Sequence, residues 1–466
     1  MIRRYSMNLV YRIQDKPKLP QLLVFALQQV LAILAATIAV PTIIGNGMSQ
    51  SAALFGAGVG TLVYQLFTRF QSPVYLGSSF AFLGSMAAAF AGAATVSAGH
   101  IGLIIGAVMA GLVYVVIAVV VKFVGVRWID RLMPPAVIGP TVAIIGMSLA
   151  GNAIGDMRVG KVMVEQVTQV IQDSRIVDQI SYVSVCSPYV ALLCSLVTLF
   201  AIIIFSVYGK RMMKLIPFIL GILVGYAVAA VFTVIGIATG NTALQVIDFS
   251  AFANMGLFSV PDFTFLHIGA GMQDVTPTFI ATVAVAYIPV AFVVFAEHIA
   301  DHKNLSTIIG QDLLANPGLH RTLLGDGIGS MAGSFFGGCP NTTYGESVGC
   351  VAITRNASVI TITAAAVMCI VISFFAPFVT FLSSIPNCVM GGVCTSLYGF
   401  IAVSGLKMVQ KVDLNQGKNV FVVSVILIAG IGNLTVSFGN VTLTAVACAL
   451  ILGILTNLLV SRAKDE

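Results

Sequence analysis

The sequence has little charge. Only 9% of its 466 residues are Asp, Glu, Lys or Arg, 58% are hydrophobic, and the mean hydropathy is +1.02. Soluble domains usually carry about 25% charged residues. The scarcity of charge therefore excludes an ordinary soluble domain and indicates an integral membrane protein. The net charge of +6 reflects the basic residues expected on the cytoplasmic side of the membrane, and it gives no support to a nucleic-acid partner.

Cysteine motifs are also absent, and we expect no cleavable signal peptide. The eight cysteines are scattered through apolar segments, with no CxxC pair and no histidine cluster at metal-ligand spacing, so we predict packing roles and no metal site. The N-terminus, MIRRYSMNLVYRIQDKPKLP, is basic but has no short apolar run that ends in a cleavage site. It predicts a cytoplasmic tail over 1–20 and a first span that begins near Gln21.

Long uncharged runs are what the chain has instead. Residues 101–121, 190–208 and 215–240 can each cross a hydrocarbon core about 30 Å thick as a helix. Residues 356–406 and 419–461 carry no charge, and each is long enough for two spans, broken at SSIPN and at GNLTVSFGN. The pattern predicts an all-α polytopic membrane protein with about 14 transmembrane segments.

Basic residues predict the orientation in the cytoplasmic (inner or plasma) membrane. With the N-terminus inside and alternating spans, all of the 23 Lys and Arg except Arg158, Lys161 and Arg175 fall on the cytoplasmic side. We therefore expect both termini in the cytoplasm, including a C-terminal tail over 462–466. The hydrophilic stretch 156–188 should lie outside, as a loop without a fold of its own.

Two pairs of short motifs indicate an internal repeat. MPPAVIG (133–139) and IPNCVMG (385–391) match at an offset of 252 residues, since 385 minus 133 is 252. YLGSSFAF (75–82) and CPNTTYGES (339–347) are both interruptions rich in Gly, Ser or Thr, and each precedes a short apolar stretch. We infer two repeats, over residues 20–240 and 275–461. An odd number of spans in each would make the repeats inverted.

In an inverted repeat, the two interrupted segments meet near the middle of the membrane and line a protein cavity, because lipid cannot bond to their free backbone groups. Helix N-termini at Ser79/Phe80 and Tyr344/Gly345 would then direct positive dipole ends into that cavity. The alternative is that both segments are ordinary loops between spans.

Acidic residues in apolar surroundings are the candidate functional groups. Glu346 precedes Arg355, a cytoplasmic end, by nine residues, which places it ~13 Å into the membrane. An ionisable group at that depth predicts a functional site, the alternative being a carboxylate held structurally by helix N–H groups or by an Arg. In AEHIADH, Glu297 and Asp301 share one helix face. Hydropathy alone sets this motif toward the cytoplasmic end of its span, where such residues are unremarkable.

The glycine-rich stretch GDGIGSMAG (325–333) superficially resembles a phosphate-binding loop. It lacks the strand-and-helix context of such loops, and small residues are common at membrane helix contacts, so we predict a packing role. Asp326 within it closes an inner gate or lies at the membrane interface; the sequence leaves both open.

Five motifs carry a family resemblance. LQQVLAILAATIAVP (27–41), YLGSSFAF, LMPPAVIGP (132–140), AEHIADH (296–302) and PNTTYGESVGCVAITR (340–355) resemble the nucleobase–ascorbate transporter family, in its bacterial uracil permease branch. The resemblance runs from about residue 20 to 460, and its NTTYGE and SSFAF motifs are the specific ones.

The resemblance implies two inverted repeats of seven segments, with two interrupted half-helices preceded by short extended strands. It also implies the following division: a core domain over 21–130 and 275–384, a gate domain over 131–240 and 385–461, and an extracytoplasmic connection over 241–274.

The resemblance further implies proton-coupled uptake of a nucleobase by alternating access, with no enzymatic activity and no cofactor besides the coupling proton. It moves Glu297 from the cytoplasmic edge to the binding site, beside Glu346. We expect the following substrate-binding residues: Glu297, Glu346, Phe80, Gly345, Ala36, Ser79 and Tyr344. For proton coupling we expect Glu297 as the carrier, tuned by Asp301, His302 and Tyr398. The partners implied are a small nucleobase and the lipid bilayer, and a homodimer is left open.

The chain departs from the family pattern at three places. It has Gln28-Gln29 where the family often has Gln-His, Ser347 where ENxG has Asn, and Asp301 where uracil permeases have a His. Purine-specific members carry Gln at the position of Glu346, which favours a pyrimidine such as uracil. A xanthine-type purine permease, an anion exchanger or channel, and a lipid-modifying membrane enzyme are the alternatives.

Overall fold

The computed structural model describes residues 8–125, 127–172, 175–214, 216–253, 255–438 and 441–461. The predicted C-terminal tail 462–466 and the first seven residues of the N-terminal tail lie outside the described residues.

Helices form most of the described chain. They are α1 (Leu19–Ile44), α2 (Gln50–Phe67), α3 (Leu83–Ala91), α4 (Val96–Val124), α5 (Arg127–Leu132), α6 (Pro135–Ser148), α7 (Ala150–Asp156), α8 (Pro188–Val207), α9 (Pro217–Thr239), α10 (Ile268–Gly271), α11 (Pro277–Ile309), α12 (Leu319–Gly337), α13 (Gly345–Thr354), α14 (Val359–Ile372), α15 (Ala376–Ser384), α16 (Asn387–Val409), α17 (Gly417–Ile431) and α18 (Ala445–Val460). The strands are β1 (Leu76–Ser78), β2 (Met163–Gln172), β3 (Arg175–Ser184), β4 (Asn341–Thr343), β5 (Val436–Phe438) and β6 (Val441–Leu443).

Seven helical stretches of the described chain are long and apolar enough to cross a membrane, judged by length and composition. They are Leu19–Ile44, Val96–Val124, Pro135–Asp156, Pro188–Val207, Pro217–Thr239, Pro277–Ile309 and Asn387–Val409. Shorter apolar helices, such as α14, α17 and α18, add to them. A helical, multi-pass membrane protein is therefore confirmed, as are the spans predicted over 101–121, 190–208 and 215–240. The full number of segments and the inverted repeat stay predictions.

Local chemistry starts the long helices. Proline occupies the first turn of α1, α8, α9 and α11, where its missing N–H would have no helical partner in any case. The motifs at the offset of 252 begin helices at matching positions, because α6 begins at Pro135 and α16 at Asn387, and 135 plus 252 is 387. The recurrence of the motif is therefore also a recurrence of local structure.

The chain divides into two compact units. Unit 1 comprises residues 1–148, 259–375 and 398–466, and unit 2 comprises 149–258 and 376–397. The core and gate boundaries implied by the resemblance stay predictions.

In unit 1, glycines let α12 approach α2 and α4 closely. A Cβ at Gly329 would stand 2.7 Å from the carbonyl oxygen of Gly60, and a Cβ at Gly327 would stand 3.0 Å from that of Gly111. A side chain at either position would push the helices apart. The packing role predicted for GDGIGSMAG is therefore the one that the contacts support.

In unit 2, the described part of the stretch 156–188 contains two paired strands, so the prediction of a loop without a fold of its own is wrong. β2 and β3 pair in antiparallel register from Met163 opposite Ser184 to Gln172 opposite Arg175. The reason is visible in the sequence: Val and Ile recur between polar residues in MVEQVTQVIQ and in RIVDQISYVS, a pattern that favours paired strands. The eight cysteines of the whole protein are all buried, in keeping with packing roles.

Candidate substrate site

Two short strands of unit 1 form the frame of the site. β1 and β4 pair in antiparallel register, with Leu76 opposite Thr343 and Ser78 opposite Asn341, and all of their residues are buried. The sequence motifs predicted interruptions at these two places, and the structure pairs the interruptions with each other.

Two further backbone bonds close the ends of this pair. The N–H of Ser79 donates to the carbonyl of Pro340 at 2.9 Å, and the N–H of Tyr344 donates to that of Tyr75 at 3.3 Å. The bonds are equivalent under the motif offset, since 79 plus 265 is 344 and 75 plus 265 is 340. Each segment thus satisfies the other's backbone, as irregular backbone at membrane depth requires.

Neighbouring helices anchor both strands by side-chain bonds. Thr61 of α2 accepts a bond from the N–H of Leu76 at 3.0 Å, and Ser330 of α12 accepts one from the N–H of Asn341 at 3.1 Å. The Asn341 amide donates to the carbonyl of Gly56 at 2.9 Å. The strand ends, from which the helices start, are therefore held by the body of unit 1.

A helical turn starts directly after each strand. A 3₁₀ turn begins at Phe80 and leads into α3, and α13 begins at Gly345, as the sequence predicted. In the described structure, neither preceding side chain, Ser79 or Tyr344, bonds to the first turn that follows it. The N–H groups of a helix's first turn have no partner within the helix, so the first turns that follow Ser79 and Tyr344 are candidate donors to a ligand.

Four polar groups gather where α11 passes α13. Asp301 accepts a hydrogen bond from the Thr343 hydroxyl at 2.8 Å, and a Cβ on Gly345 would lie 4.0 Å from its other carboxylate oxygen. Glu297 lies one turn earlier on α11 and interacts electrostatically with Asp301 and Glu346. These three acids are half-buried, and Gly345 is exposed within this space. The structure thus brings together the acids that the sequence singled out separately.

Aromatic side chains border the same region. The Phe80 ring packs edge-on against the ring of Tyr398, with centroids 5.9 Å apart. The Tyr344 hydroxyl donates to the carbonyl of Ser78 at 2.6 Å, which ties the start of α13 to β1. Ala36 is buried in the middle of α1, a helix that packs against both β1 and α13.

His302, expected near the proton carrier, is engaged on another face of α11. Its Nε2 lies 2.7 Å from the Tyr64 hydroxyl, and its Nδ1 lies 2.8 Å from the carbonyl oxygen of His298. The Tyr64 hydroxyl also reaches Ser72 at 2.7 Å. Both ring nitrogens of His302 therefore have hydrogen-bond partners within unit 1, and its role in tuning the proton carrier stays a prediction.

Sequence reasoning gave no role to His298, which bonds to α12 beside the site. Its Nδ1 lies 2.7 Å from Asp326 Oδ2, its Nε2 lies 2.9 Å from the Thr322 hydroxyl, and its side chain is 0% exposed. The signal was available in AEHIADH, where His298 and His302 have the same i, i+4 spacing as Glu297 and Asp301. Asp326 is 1% exposed and is held by this pairing.

Among the described residues, no group of three or more His, Cys, Asp or Glu side chains could hold a metal ion. The site has instead three half-buried acids, backbone donors at two helix starts and an aromatic ring. Such a set can bind a flat, uncharged ligand that has both hydrogen-bond donors and acceptors.

Comparison with known proteins identifies the family. The model of the permease family matches residues 20–438, which is most of the chain. The chain belongs to the nucleobase–ascorbate transporter family. Since this is a family of permeases, the prediction of a transporter and not an enzyme is confirmed.

Relatives of this family match over nearly their whole length. The chain is 38% identical to the uracil permease of Bacillus caldolyticus, over 97% of this chain and 94% of the relative. It is 35% identical to the uracil permease of Bacillus subtilis (95% and 93%), and 33% identical to that of Escherichia coli (95% and 92%).

Solved structures share the fold at low identity. The transmembrane domain of the cyanobacterial bicarbonate transporter BicA matches with a TM-score of 0.60 and 15% identity, over 96% of this chain and 99% of that one. The murine Solute Carrier 26 family member A9 anion transporter, in its inward-facing state, matches with a TM-score of 0.62 and 13% identity, over 96% and 69%. These likenesses concern the fold alone.

Two of the departures from the family pattern contact each other. The Gln29 amide of α1 donates to the Ser347 hydroxyl of α13, which also accepts a bond from the N–H of Tyr75 at 3.3 Å. These are the positions where the family often has His and Asn. The two departures therefore meet in one hydrogen bond, next to Glu346 in the chain.

Proposed function

We propose that this protein is a proton-coupled importer of uracil or a closely related pyrimidine, working by alternating access in the cytoplasmic membrane. The observation that carries the proposal is Glu346 in the first turn of α13, half-buried and facing the acids of α11. The likeness over nearly the full length to relatives named uracil permeases supports the same substrate.

The chemistry of uracil suits this set of groups. The base is flat and uncharged, with two N–H donors and two carbonyl acceptors, so carboxylates accept from the donors and backbone N–H groups serve the carbonyls. In this proposal Glu297 and Glu346 accept the two N–H groups, and Phe80 covers one face of the ring. The other contacts come from the helix starts and the buried middle of α1, at these positions: Ser79, Tyr344, Gly345 and Ala36.

Proton coupling is proposed to run through Glu297. A carboxylate that binds the substrate must either stay charged in a poorly solvated space or take up a proton, and movement of the binding unit across the membrane is easiest when the charge is neutralised. Asp301, bonded to Thr343, lies one turn away and tunes this exchange. His302 and Tyr398 contribute to the tuning from the neighbouring packing.

The proposed architecture has seven segments in each of two inverted repeats, divided into core and gate domains. It is supported by the antiparallel pairing of β1 with β4 and by the two backbone bonds that correspond at the offset of 265. A homodimer stays a prediction, which the mass of the detergent-solubilised protein would test.

The orientation, with both termini in the cytoplasm and 156–188 outside, rests on the distribution of basic residues. Because all eight native cysteines are buried, background labelling by a membrane-impermeant thiol reagent should be low. Arg158 and Lys18 are both exposed on the protein, so only the side of the membrane should decide whether a cysteine there reacts. In intact cells, Arg158→Cys should react and Lys18→Cys should not. Strong labelling at position 18 would reverse the assignment.

Two alternatives to a uracil importer can be tested by experiment. A purine permease would bind xanthine in preference to uracil, and Glu346 in place of Gln speaks against it. An anion exchanger on the same fold is suggested by the likeness to anion transporters, but three acids at the site would repel an anion.

Uptake of labelled uracil into cells or proteoliposomes tests the proposal, with thymine, xanthine and hypoxanthine as competitors at two external pH values. We expect uptake to increase as the external pH falls and to collapse with a protonophore, and Glu297→Gln to lose proton-driven accumulation. Na⁺-dependent accumulation that survives the protonophore would overturn proton coupling. Stronger competition by xanthine than by thymine would move the substrate to the purines.

A further inference from the structure

A buried polar group outside the substrate site joins α11 to α12. His298, Asp326 and Thr322 form a row in which His298 Nδ1 lies 2.7 Å from Asp326 Oδ2 and Nε2 lies 2.9 Å from Thr322 Oγ1. All three side chains are buried. Buried ionisable groups within a membrane protein are costly and are usually retained for a function.

The Thr322 hydroxyl has two partners within reach. Besides Nε2 of His298, it lies 3.0 Å from the carbonyl oxygen of Leu319 in its own helix. A hydroxyl has one hydrogen to donate and can also accept. Thr322 can therefore donate to Nε2 when His298 is neutral, or accept from a protonated Nε2 and donate to Leu319.

The row can thus hold two protonation states with every one of these bonds kept. In one state His298 is neutral, with Nδ1–H donating to the Asp326 carboxylate and Nε2 accepting from Thr322. In the other, one added proton resides on Nε2, and rotation of the hydroxyl restores the complement of bonds. An ordinary buried histidine would lose a hydrogen bond on changing its charge, so this arrangement lowers the penalty for binding and releasing a proton.

The surroundings favour His298 over His302 as the place for that proton. The two rings stack with centroids 4.0 Å apart, so that charging both is disfavoured, and only His298 bonds directly to a carboxylate. His302 bonds to the neutral groups Tyr64 and the carbonyl of His298. The other titratable groups that face this row are Glu297 and Asp301 on α11, Tyr64 on α2 and Tyr114 on α4.

We propose that His298, Asp326 and Thr322 form a second proton-binding site, separate from the carboxylates that face the substrate. The Asp326 carboxylate interacts through space with Glu297 and Asp301, so a proton gained by the row changes the charge that these acids experience. The role in coupling rests on the proposed function, whereas proton binding by the row does not depend on it.

Nuclear magnetic resonance of ¹⁵N-histidine in the bilayer-reconstituted full chain tests the site directly. The protein has only five histidines, so single substitutions can assign the His298 signals. Between about pH 9 and about pH 5 we expect His298 to change from the neutral Nδ1–H form to the doubly protonated form. His302 should stay neutral over the same range.

Three variants sharpen the test. Asp326→Asn keeps an acceptor for Nδ1 but removes the charge, and it should move the midpoint of the His298 titration to lower pH by about 1 to 3 units. Thr322→Val removes the rotating hydroxyl, and it should change the midpoint by about one unit or more. Thr141→Val is the matched control, because the buried Thr141 hydroxyl donates to the carbonyl of Val137 in its own helix, α6. The midpoint of the His298 titration in this variant should equal that of the wild type.

Two results would overturn the proposal: a His298 signal that keeps one protonation state over the whole range, or a midpoint that neither Asp326→Asn nor Thr322→Val moves. Uptake measured in the same preparations separates this outcome from a failure of the proposed function. Absence of uracil uptake by the wild type would count against the proposed substrate, and the histidine titration stands by itself.

Discussion

Two faces of α11, one residue apart in register, are built in opposite ways. Glu297 and Asp301 lie on a face where both carboxylates are half-buried and only part of their bonding capacity is used. His298 and His302 lie on a face that is fully buried, and each ring nitrogen has a partner within 2.9 Å. Burial of a charged group therefore does not by itself mark a binding site. The groups that keep free bonding capacity are the ones suited to a ligand.

The largest expected effect comes from removing a hydrogen-bond partner on the α11 face that carries His298 and His302. His298→Leu leaves the buried Asp326 carboxylate without its partner, which should lower the free energy of unfolding by about 3 to 5 kcal/mol. Thermal unfolding in detergent measures the loss. His298→Asn is the control, because its side-chain amide can still donate toward Asp326 and should retain much of the stability. Equal stability of His298→Leu and the wild type would contradict the structural account of this face.

On α13, opposite the α11 face that carries Glu297 and Asp301, removal of a charge should affect binding and spare the fold. Glu346→Gln presents an amide donor where an N–H of the base must be accepted, and one unmatched buried polar group costs about 1 to 3 kcal/mol. We expect uracil affinity to fall about tenfold to a hundredfold, with little change in thermal unfolding. Equilibrium binding to purified protein gives the affinity. Wild-type affinity in this variant would remove Glu346 from the site.

The space between Gly345 of α13 and Asp301 of α11 can be tested by substituting two glycines of α13. The structure leaves room for a methyl group at Gly345, whose Cβ would approach Asp301 no closer than 4.0 Å, and also at Gly349, one turn later. Only Gly345 is proposed to contact the substrate. Gly345→Ala should lower uracil affinity roughly tenfold by filling the ligand's space. Gly349→Ala should bind as the wild type does, and an equal loss in both variants would point to a change in the helix.

The smallest effect is expected from loss of the hydrogen bond that the Thr343 hydroxyl donates to Asp301. Thr343→Val removes the 2.8 Å bond to Asp301, and a bond to a charged group is worth about 1.5 to 3 kcal/mol in a protein interior, less where the acid is half-exposed. We expect a change of a few-fold in apparent uracil affinity and a shift in the pH dependence of uptake. Uptake kinetics at several pH values measure both, with Thr141→Val as control. An unchanged pH profile would exclude Asp301 from the tuning of the proton carrier.

The sequence predicted much of the frame because its signals are local. Lack of charge and long apolar runs indicate spans, and proline or interrupted motifs mark where helices begin, as at Phe80, Gly345 and Pro135. The strand pattern in 163–184 was equally local, and the prediction of an unstructured loop there was an error of interpretation. The assignment of a membrane permease followed from composition together with the resemblance.

Hydropathy and motif spacing are properties of short stretches of chain, so the sequence alone indicated a multi-pass membrane protein with acids at Glu297 and Glu346, and the resemblance of five motifs to a known family added the permease assignment. Which polar groups face one another depends on the tertiary structure. The fold pairs β1 with β4 across more than 260 residues of chain, since Ser78 lies opposite Asn341 and 341 minus 78 is 263. It also joined His298 to Asp326, and Gln29 to Ser347. Such contacts depend on how distant helices pack, and no local periodicity records them.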